Sequence, residues 1–313
     1  MRVIVLGAGA TGGYFGGRLQ EAGVDVRFLV RPARADRLAA HGLRIASPDG
    51  DASLVPSLIV ADGSAPRDVG RFDCALLACK SYDLDAAIAT LAPHVGDGTM
   101  VLPLLNGMRH LERLDVAFGA GRVLGGLCAI SATLDPDGTI RHLGIPPRIL
   151  FGERAGGLSP RVEKLAAAMT GAKFEGRASD DILQDMWEKV TLLSAMAAAT
   201  CLMRAPIGAI VAAPGGADFM KAMVAETVAI ATAANRAPRP AFHERLFKVM
   251  TDPQSKLAAS MLRDIVRGGP TEGDHILGDM AAQARAAGLD TPNLARAALA
   301  LAVYERRRLE GDA

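Results

Sequence analysis

Aromatic residues are scarce in this chain. They make up 4% of its 313 residues, too few for the stacking platforms that hold single-stranded nucleic acid. Net charge is almost absent as well: 35 Lys and Arg stand against 34 Asp and Glu, a formal +1. No general field therefore draws the chain to nucleic acid or to an anionic membrane, and any anion must be held by a local cluster. Cysteine is rare, and Cys74, Cys79, Cys128 and Cys201 include no C-x-x-C pair. They read as small buried hydrophobes in a reducing compartment, which excludes a disulfide framework and disfavours a thiol nucleophile. His41, His94, His110, His142, His243 and His275 show no H-E-x-x-H or other metal spacing, so no metal centre is expected. Long hydrophobic runs are missing too. The stretch over 192–203 is broken by Ser194 and Thr200 and falls short of the roughly 20 residues a bilayer span needs. Met1-Arg2 runs straight into Val3-Ile4-Val5-Leu6, too short for the apolar core of a signal peptide, and glycines follow. The expectation is a cytoplasmic protein with neither nucleic acid nor membrane as a partner.

What is present is hydrophobic mass. Half the residues are hydrophobic and 22% are charged, enough for a buried core and against disorder. At about 150 residues per domain, the length suggests two domains. In the first half, short apolar runs over 2–6, 25–30, 74–78 and 100–105 alternate with helical patterns over 11–22, 33–41 and 84–91. This β-α-β rhythm predicts a parallel sheet with helices on both faces. Residues 144–151, with Pro146-Pro147, read as irregular or edge-strand structure. From about Ser179 strand signals vanish, and helices are predicted over 180–202, 216–235, 241–249, 253–267, 272–287 and 293–308. The expected domains are 1–178, α/β, and 179–313, all helical.

Gly7-Ala8-Gly9-Ala10-Thr11-Gly12 matches G-x-G-x-x-G between a predicted strand and a predicted helix, the context in which the pattern signals dinucleotide binding. Gly7 permits the turn, Gly9 lets a pyrophosphate approach the backbone, and Gly12 lets helix and strand pack closely. The second strand ends on Arg31, with Arg34 and Arg37 following, where an NAD enzyme usually offers a carboxylate to the ribose. A guanidinium suits a 2′-phosphate, which favours NADPH with Arg31 as its ligand; Arg37 reads as a solvated helix residue. Lys80 and Asn106-Gly107 follow strands and reach the edge where open α/β sheets bind ligands. Lys80 could meet a phosphate. Asn106-Gly107 reads equally as a contact to nicotinamide or ribose and as a simple turn. In the helical half, Lys189 adjoins an alanine-rich apolar helix. It is either a desolvated general acid or a lysine snorkelling from a helix end. Glu272, in Thr271-Glu272-Gly273-Asp274, could cap a helix or partner a catalytic lysine, and Ser260 could be a plain helical serine.

Taken together, the glycine turn with Gly13-Tyr14-Phe15-Gly16, Arg31, Cys79-Lys80, Asn106-Gly107-Met108, Trp187-Glu188-Lys189, Ser260-Met261-Leu262-Arg263-Asp264 and Thr271-Glu272-Gly273-Asp274 resemble the ketopantoate reductase family over nearly the whole chain. The resemblance implies a Rossmann-type domain binding NADP(H), followed by an all-α domain like the C-terminal domain of 6-phosphogluconate dehydrogenase. It implies NADPH-dependent reduction of 2-dehydropantoate to pantoate, a step of pantothenate and coenzyme A biosynthesis. Lys189 then matches the lysine that protonates the carbonyl oxygen. Glu272 matches the glutamate near it, and Ser260 a serine on the substrate carboxylate. Arg31 and Lys80 match positions around the 2′-phosphate, and Asn106 an asparagine touching cofactor or substrate. A homodimer is compatible with this reading. One departure stands out. The family commonly carries asparagines one and two turns after the lysine, and this chain has Leu193 and Ala197 there. The face beside Lys189 is thus apolar, which suits a less polar 2-keto acid; Ser194 could compensate in part. A non-catalytic NADP(H)-binding regulator is the alternative from another class, and retention of Lys189 with Glu272 argues against it.

Overall fold

A computed structural model describes residues 1–62 and 72–311; residues 63–71 and 312–313 of the two expected domains lie outside these. The chain forms two compact units, Met1–Leu105 with His110–Asp185, and Asn106–Arg109 with Met186–Ala313.

In chain order the first unit contains β1 (Arg2–Leu6), α1 (Ala10–Glu21), β2 (Asp25–Val30), α2 (Pro32–His41), β3 (Leu43–Ala46), β4 (Ala52–Leu54), β5 (Ser57–Val60) and β6 (Cys74–Leu77). It continues with α3 (Leu84–Leu91), β7 (Met100–Pro103), α4 (His110–Phe118), β8 (Gly125–Ala129), β9 (Ala132–Leu134), β10 (Ile140–His142), β11 (Arg148–Gly152), α5 (Pro160–Met169) and β12 (Glu175–Ala178). Five strands make one parallel sheet in the order β5-β2-β1-β6-β7. β6 is buried along its whole length and β1 everywhere but Arg2, as strands covered on both faces must be. The strand order reverses between β1 and β6, so the crevice at their C-terminal ends is where an open sheet of this kind takes its ligand. Smaller sheets follow the orders β4-β3-β10-β9 and β12-β11-β8. Burial pushes the Cys74 thiol up to about 12, and Asp73 adds to it, so this cysteine is an inert part of the core.

The second unit takes most of α6 (Ile182–Met203), then α7 (Ile207–Ala212), α8 (Gly216–Ala233), α9 (Pro240–Met250), α10 (Ser260–Val266), a π-helical turn (Asp274–Gly278), α11 (Asp279–Ala286) and α12 (Pro292–Glu310). Its described residues include no strand. Val190, Ala198, Met220, Met223, Ile230, Leu277 and Leu294 form the centre of its core. Two buried carboxylates close helix ends. Glu226 accepts from the Asn293 and Leu294 amides at the start of α12, and Glu188 accepts from the Arg239 amide at the start of α9. Both sit where orphan amides and the helix dipole favour an anion. The architecture is a Rossmann-type α/β unit and an all-helical unit.

Three expectations for single elements differ from the structure, and the boundary between the units falls a few residues later. Residues 144–151 do not end in an edge strand: β11 is the middle strand of its sheet, antiparallel to β8 and parallel to β12. Pro146-Pro147 only precede it, and prolines do not interrupt a ladder they stand outside. The helix expected over 253–267 forms only at Ser260–Val266. The Ser255 and Leu257 carbonyls instead accept from Gly208 and Ile207, capping the first amides of α7. The helical stretch expected from 272 begins after Gly273, and with a π turn. The first unit also runs past Ala178 to Asp185. The reason is local: the Ser179 hydroxyl donates to Asp185 at 2.5 Å, fastening the first turn of α6 to the end of β12.

Candidate active site

In the first unit the glycine turn lies between β1 and α1. Gly7 has φ +91°, a left-handed conformation that only glycine adopts without strain, and its amide donates to the Leu29 carbonyl at 3.0 Å. A Cβ on Gly12 would overlap the Gly7 carbonyl oxygen, so the helix packs on the turn as closely as backbone allows. Gly9 is different. A Cβ there would meet nothing within 4 Å, and its backbone is extended and open to any residue. As the N-cap of α1 it supplies no side-chain acceptor, and the first turn carries no acid. Ala10, Thr11 and Gly12 thus open a helix with no acid in its own first turn, at an end where orphan amides and the helix dipole favour an anion. The turn fits the pyrophosphate of a dinucleotide.

One cation touches it, and three others lie on the segments after β2 and β6. Arg34 donates from Nε to the Ala8 carbonyl at 3.0 Å, and its buried Nη2 has no hydrogen-bond partner among the described residues. Burial, with the neighbouring Arg37 charge, holds this guanidinium below its ordinary pKa. Arg31 caps α2 and is open to solvent, its side chain 73% exposed; it pairs with Asp83 at 3.1 Å. Asp83 donates its amide to the Lys80 carbonyl at 3.0 Å, so the pair brings Arg31 to the turn carrying half-buried Lys80. Arg37, exposed, donates to the Pro136 carbonyl. Arg34 is the cation nearest the turn by direct contact. Its signal in the sequence was a position three residues after the N-cap of α2, where a side chain can fold back over the preceding loop.

In the second unit Lys189 lies two turns inside α6, not at a helix end, and is half-buried. The acid beside it in sequence is engaged elsewhere. Glu188, its side chain 6% exposed, accepts from Arg239 Nε at 2.8 Å and Nη2 at 2.7 Å. Ser194 does not compensate for the missing asparagines: it is fully buried, and its hydroxyl donates to the Val190 carbonyl at 2.6 Å. Thr191 and Thr200 bond back into the helix in the same way. Leu193 is half-buried, whereas Ala197 is 3% exposed and packed in the helical core. Ser260 is exposed on the first residue of α10, and Glu272 is buried.

The chain leaves the first unit after Leu105, spends Asn106–Arg109 in the second, and returns at His110. His275 meets this segment. Its ring hydrogen-bonds the Asn106 backbone and lies against Gly107, and the Glu272 charge acts on it. Burial is the largest influence and holds its pKa below the ordinary histidine value. The structure therefore brings the Asn106 and Glu272 segments together through a residue that the sequence reading had examined only for metal spacing. The signal was the T-E-x-x-H spacing, which sets Glu272 just before the helical turn that carries His275. No cluster among the described residues is arranged to hold a metal.

Residues 3–156 match the family Ketopantoate reductase PanE/ApbA, and residues 181–305 match Ketopantoate reductase PanE/ApbA C terminal. The chain belongs to the ketopantoate reductase family. The uncharacterized oxidoreductase YkpB of Bacillus subtilis (strain 168) is 37% identical over 308 residues, 98% of this chain and 100% of that protein. The 2-dehydropantoate 2-reductase of Mesorhizobium japonicum is 30% identical, with 94% of each chain covered. D-mandelate dehydrogenase, solved with NADH and anilino(oxo)acetate, superposes with a TM-score of 0.87 over 99% of this chain and 100% of that one; at 19% identity it shares the fold. Like the family's reductases, this chain is an oxidoreductase acting on a keto/hydroxyl pair. No helix among its described residues is long and apolar enough to cross a membrane.

The two glycines separate the fold from the ligand. Gly9→Ala is expected to leave the melting temperature unchanged while weakening binding of a nicotinamide dinucleotide by about tenfold or more, equivalent to about 1.4 kcal/mol. Gly12→Ala is expected to lower the melting temperature itself, because its methyl meets backbone. Thermal melts beside a fluorescence titration decide it, and wild-type affinity in Gly9→Ala would mean that no ligand approaches that Cα.

Proposed function

We propose that this enzyme reduces 2-dehydropantoate to pantoate with NADPH, in the cytoplasm, as the reductive step toward pantothenate and coenzyme A. The observation that carries this reading is the membership of one unit. The Asn106–Arg109 segment shares a compact body with Lys189, Ser260 and Glu272, so a carboxamide, an ammonium, a hydroxyl and a carboxylate come from the same unit. That set is what a 2-keto acid needs: donors for the keto oxygen and the carboxylate, and one acid to fix the ammonium.

A bound reduced nicotinamide supplies two electrons and one hydrogen to the keto carbon. The chain's own residues do the rest. The Lys189 ammonium hydrogen-bonds the keto oxygen, stabilises the charge that develops there and gives it a proton, which solvent then replaces on the amine. Glu272 orients the ammonium. Ser260 donates to the substrate carboxylate, and Asn106 holds the substrate or cofactor edge. Gly7, Ala8, Gly9, Ala10, Thr11 and Gly12 cradle the pyrophosphate, and Arg31 with Lys80 meets the 2′-phosphate. The Arg31–Asp83 pair must open for this. An exposed pair is worth about 0–1 kcal/mol, less than the roughly 1.5–3 kcal/mol of a charge-assisted contact to phosphate.

A second reading, a less polar 2-keto acid as substrate, is favoured by one observation. Leu193 is apolar, Ala197 is packed away, and the Ser194 hydroxyl is spent on the helix, so α6 offers no polar side chain at these positions beside Lys189.

NADPH oxidation across 2-dehydropantoate and unhydroxylated branched 2-keto acids tests the function directly. Lys189→Ala should lower kcat by about 10²–10⁴-fold while the NADPH dissociation constant stays near wild type, and Lys189→Arg should rescue poorly, since a guanidinium does not release its proton. Near-normal kcat in Lys189→Ala would remove the lysine from the mechanism. Arg31→Ala should weaken NADPH by about 10–10²-fold and barely change NADH, which has no 2′-phosphate; equal losses would make Arg31 structural. Leu193→Asn should raise kcat/KM for 2-dehydropantoate relative to the unhydroxylated acids. A strong wild-type preference for 2-dehydropantoate would instead place its hydroxyl contact on another element.

A further inference from the structure

We propose that His275 is a positioning residue that clamps the Asn106–Gly107 turn to the segment carrying Glu272, and so sets where the Asn106 carboxamide stands. The proposal deepens the reading above, because it takes Asn106 and Glu272 as groups of the active site.

Four observations carry it. His275 is 7% exposed, and its ring hydrogen-bonds the Asn106 backbone. The ring also fills the place of a side chain on Gly107: a Cβ there would lie 2.9 Å from His275 Cδ2 and 3.0 Å from Nε2, and Gly107 has φ +85°. Histidine and glycine are therefore matched, one supplying the ring and the other the space and the left-handed turn. Third, His275 sits in the π-helical turn Asp274–Gly278, just after Glu272, whose carbonyl accepts from the Ile276 amide at 3.0 Å. A π turn holds an extra residue per hydrogen-bonded ring and rotates the side chains beyond it, a distortion frequent at functional sites. Fourth, a second strap joins the same two segments, Arg109 Nη2 to Asp274 Oδ2 at 2.6 Å. That pair is exposed and worth little by itself, which leaves the buried imidazole as the principal fastening.

The charged groups acting on the ring are Glu272 and Asp279, which favour its cation, and Arg109, which opposes it; burial outweighs them and disfavours the charged ring. The folded-state pKa is lowered, so this contribution to stability is complete above the ordinary histidine pKa of about 6.5 and declines as pH falls below that value. The clamp should loosen on the acid side.

The test uses the full-length protein and two variants. His275→Phe keeps a ring but no donor, and His275→Asn keeps a donor to the Asn106 carbonyl. Amide hydrogen exchange of segment 106–109 should quicken by about tenfold or more in His275→Phe and stay near wild type in His275→Asn. Should the phenyl ring fail to pack, His275→Ala serves the same arm. Exchange that does not change at 106–109 in a folded donorless variant overturns the clamp. The kinetic arm asks whether His275 acts through Asn106. His275→Phe should lower kcat by up to about 10²-fold, and in an Asn106→Ala background it should cost nothing further; losses that simply multiply overturn the proposal. A wild type that turns over no 2-keto acid defeats the functional reading, and the exchange arm still decides the clamp.

Discussion

Helix α6 can face only one way, because Glu188 is buried. Its carboxylate takes three N–H donors from Arg239, the main-chain amide and two guanidinium nitrogens, at 2.7–2.9 Å. A carboxylate at that depth without partners would cost several kcal/mol, so the pair fixes the rotation of the helix about its axis. Successive residues on a helix leave it 100° apart. Fixing Glu188 therefore fixes Lys189 on the next bearing and turns Trp187 into the core. The catalytic proposal depends on that rotation more than on any property of the lysine alone.

The same helix shows why its polar residues do not all serve a site. Thr191, Ser194 and Thr200 each satisfy themselves on a carbonyl of the preceding turn. A buried hydroxyl must find an acceptor, and the nearest one is local. The helix can then carry hydroxyls through an apolar core without offering them to a ligand. One turn after Lys189 the helix presents half-buried Leu193, and an apolar wall discriminates less sharply than a hydrogen-bonding one.

The first unit carries a different feature, a glycine turn of nearly bare backbone. Gly12 allows close packing, Gly7 the left-handed turn, and Gly9 the open approach, while Arg34 braces the Ala8 carbonyl from behind. Of the two cations on the segments after β2 and β6, Arg31 is exposed and Lys80 half-buried. A close-packed turn with cations on neighbouring segments suits a ligand whose pyrophosphate is common to all dinucleotides and whose 2′-phosphate is not.

The sequence by itself determined the Rossmann-type and helical halves, because buried parallel strands read as unbroken apolar runs and glycines mark the turns that need them. It also marked the glycine turn, in which backbone geometry requires Gly7 and Gly12 and leaves Gly9 open to any residue. What it left undecided was set by partners distant in sequence. Whether residues 148–152 form an edge or a centre depends on β8 and β12, which pair from either side. Whether 253–259 form a helix depends on the amides of α7 that claim their carbonyls. Asn106-Gly107 reads from spacing as a turn or a contact, and only the tertiary structure placed it in the helical unit, because the residue that fastens it, His275, lies well over a hundred positions away. Local pattern records what a segment can bury or how it can bend; which donor meets which acceptor across the fold is decided only when the chain has closed on itself.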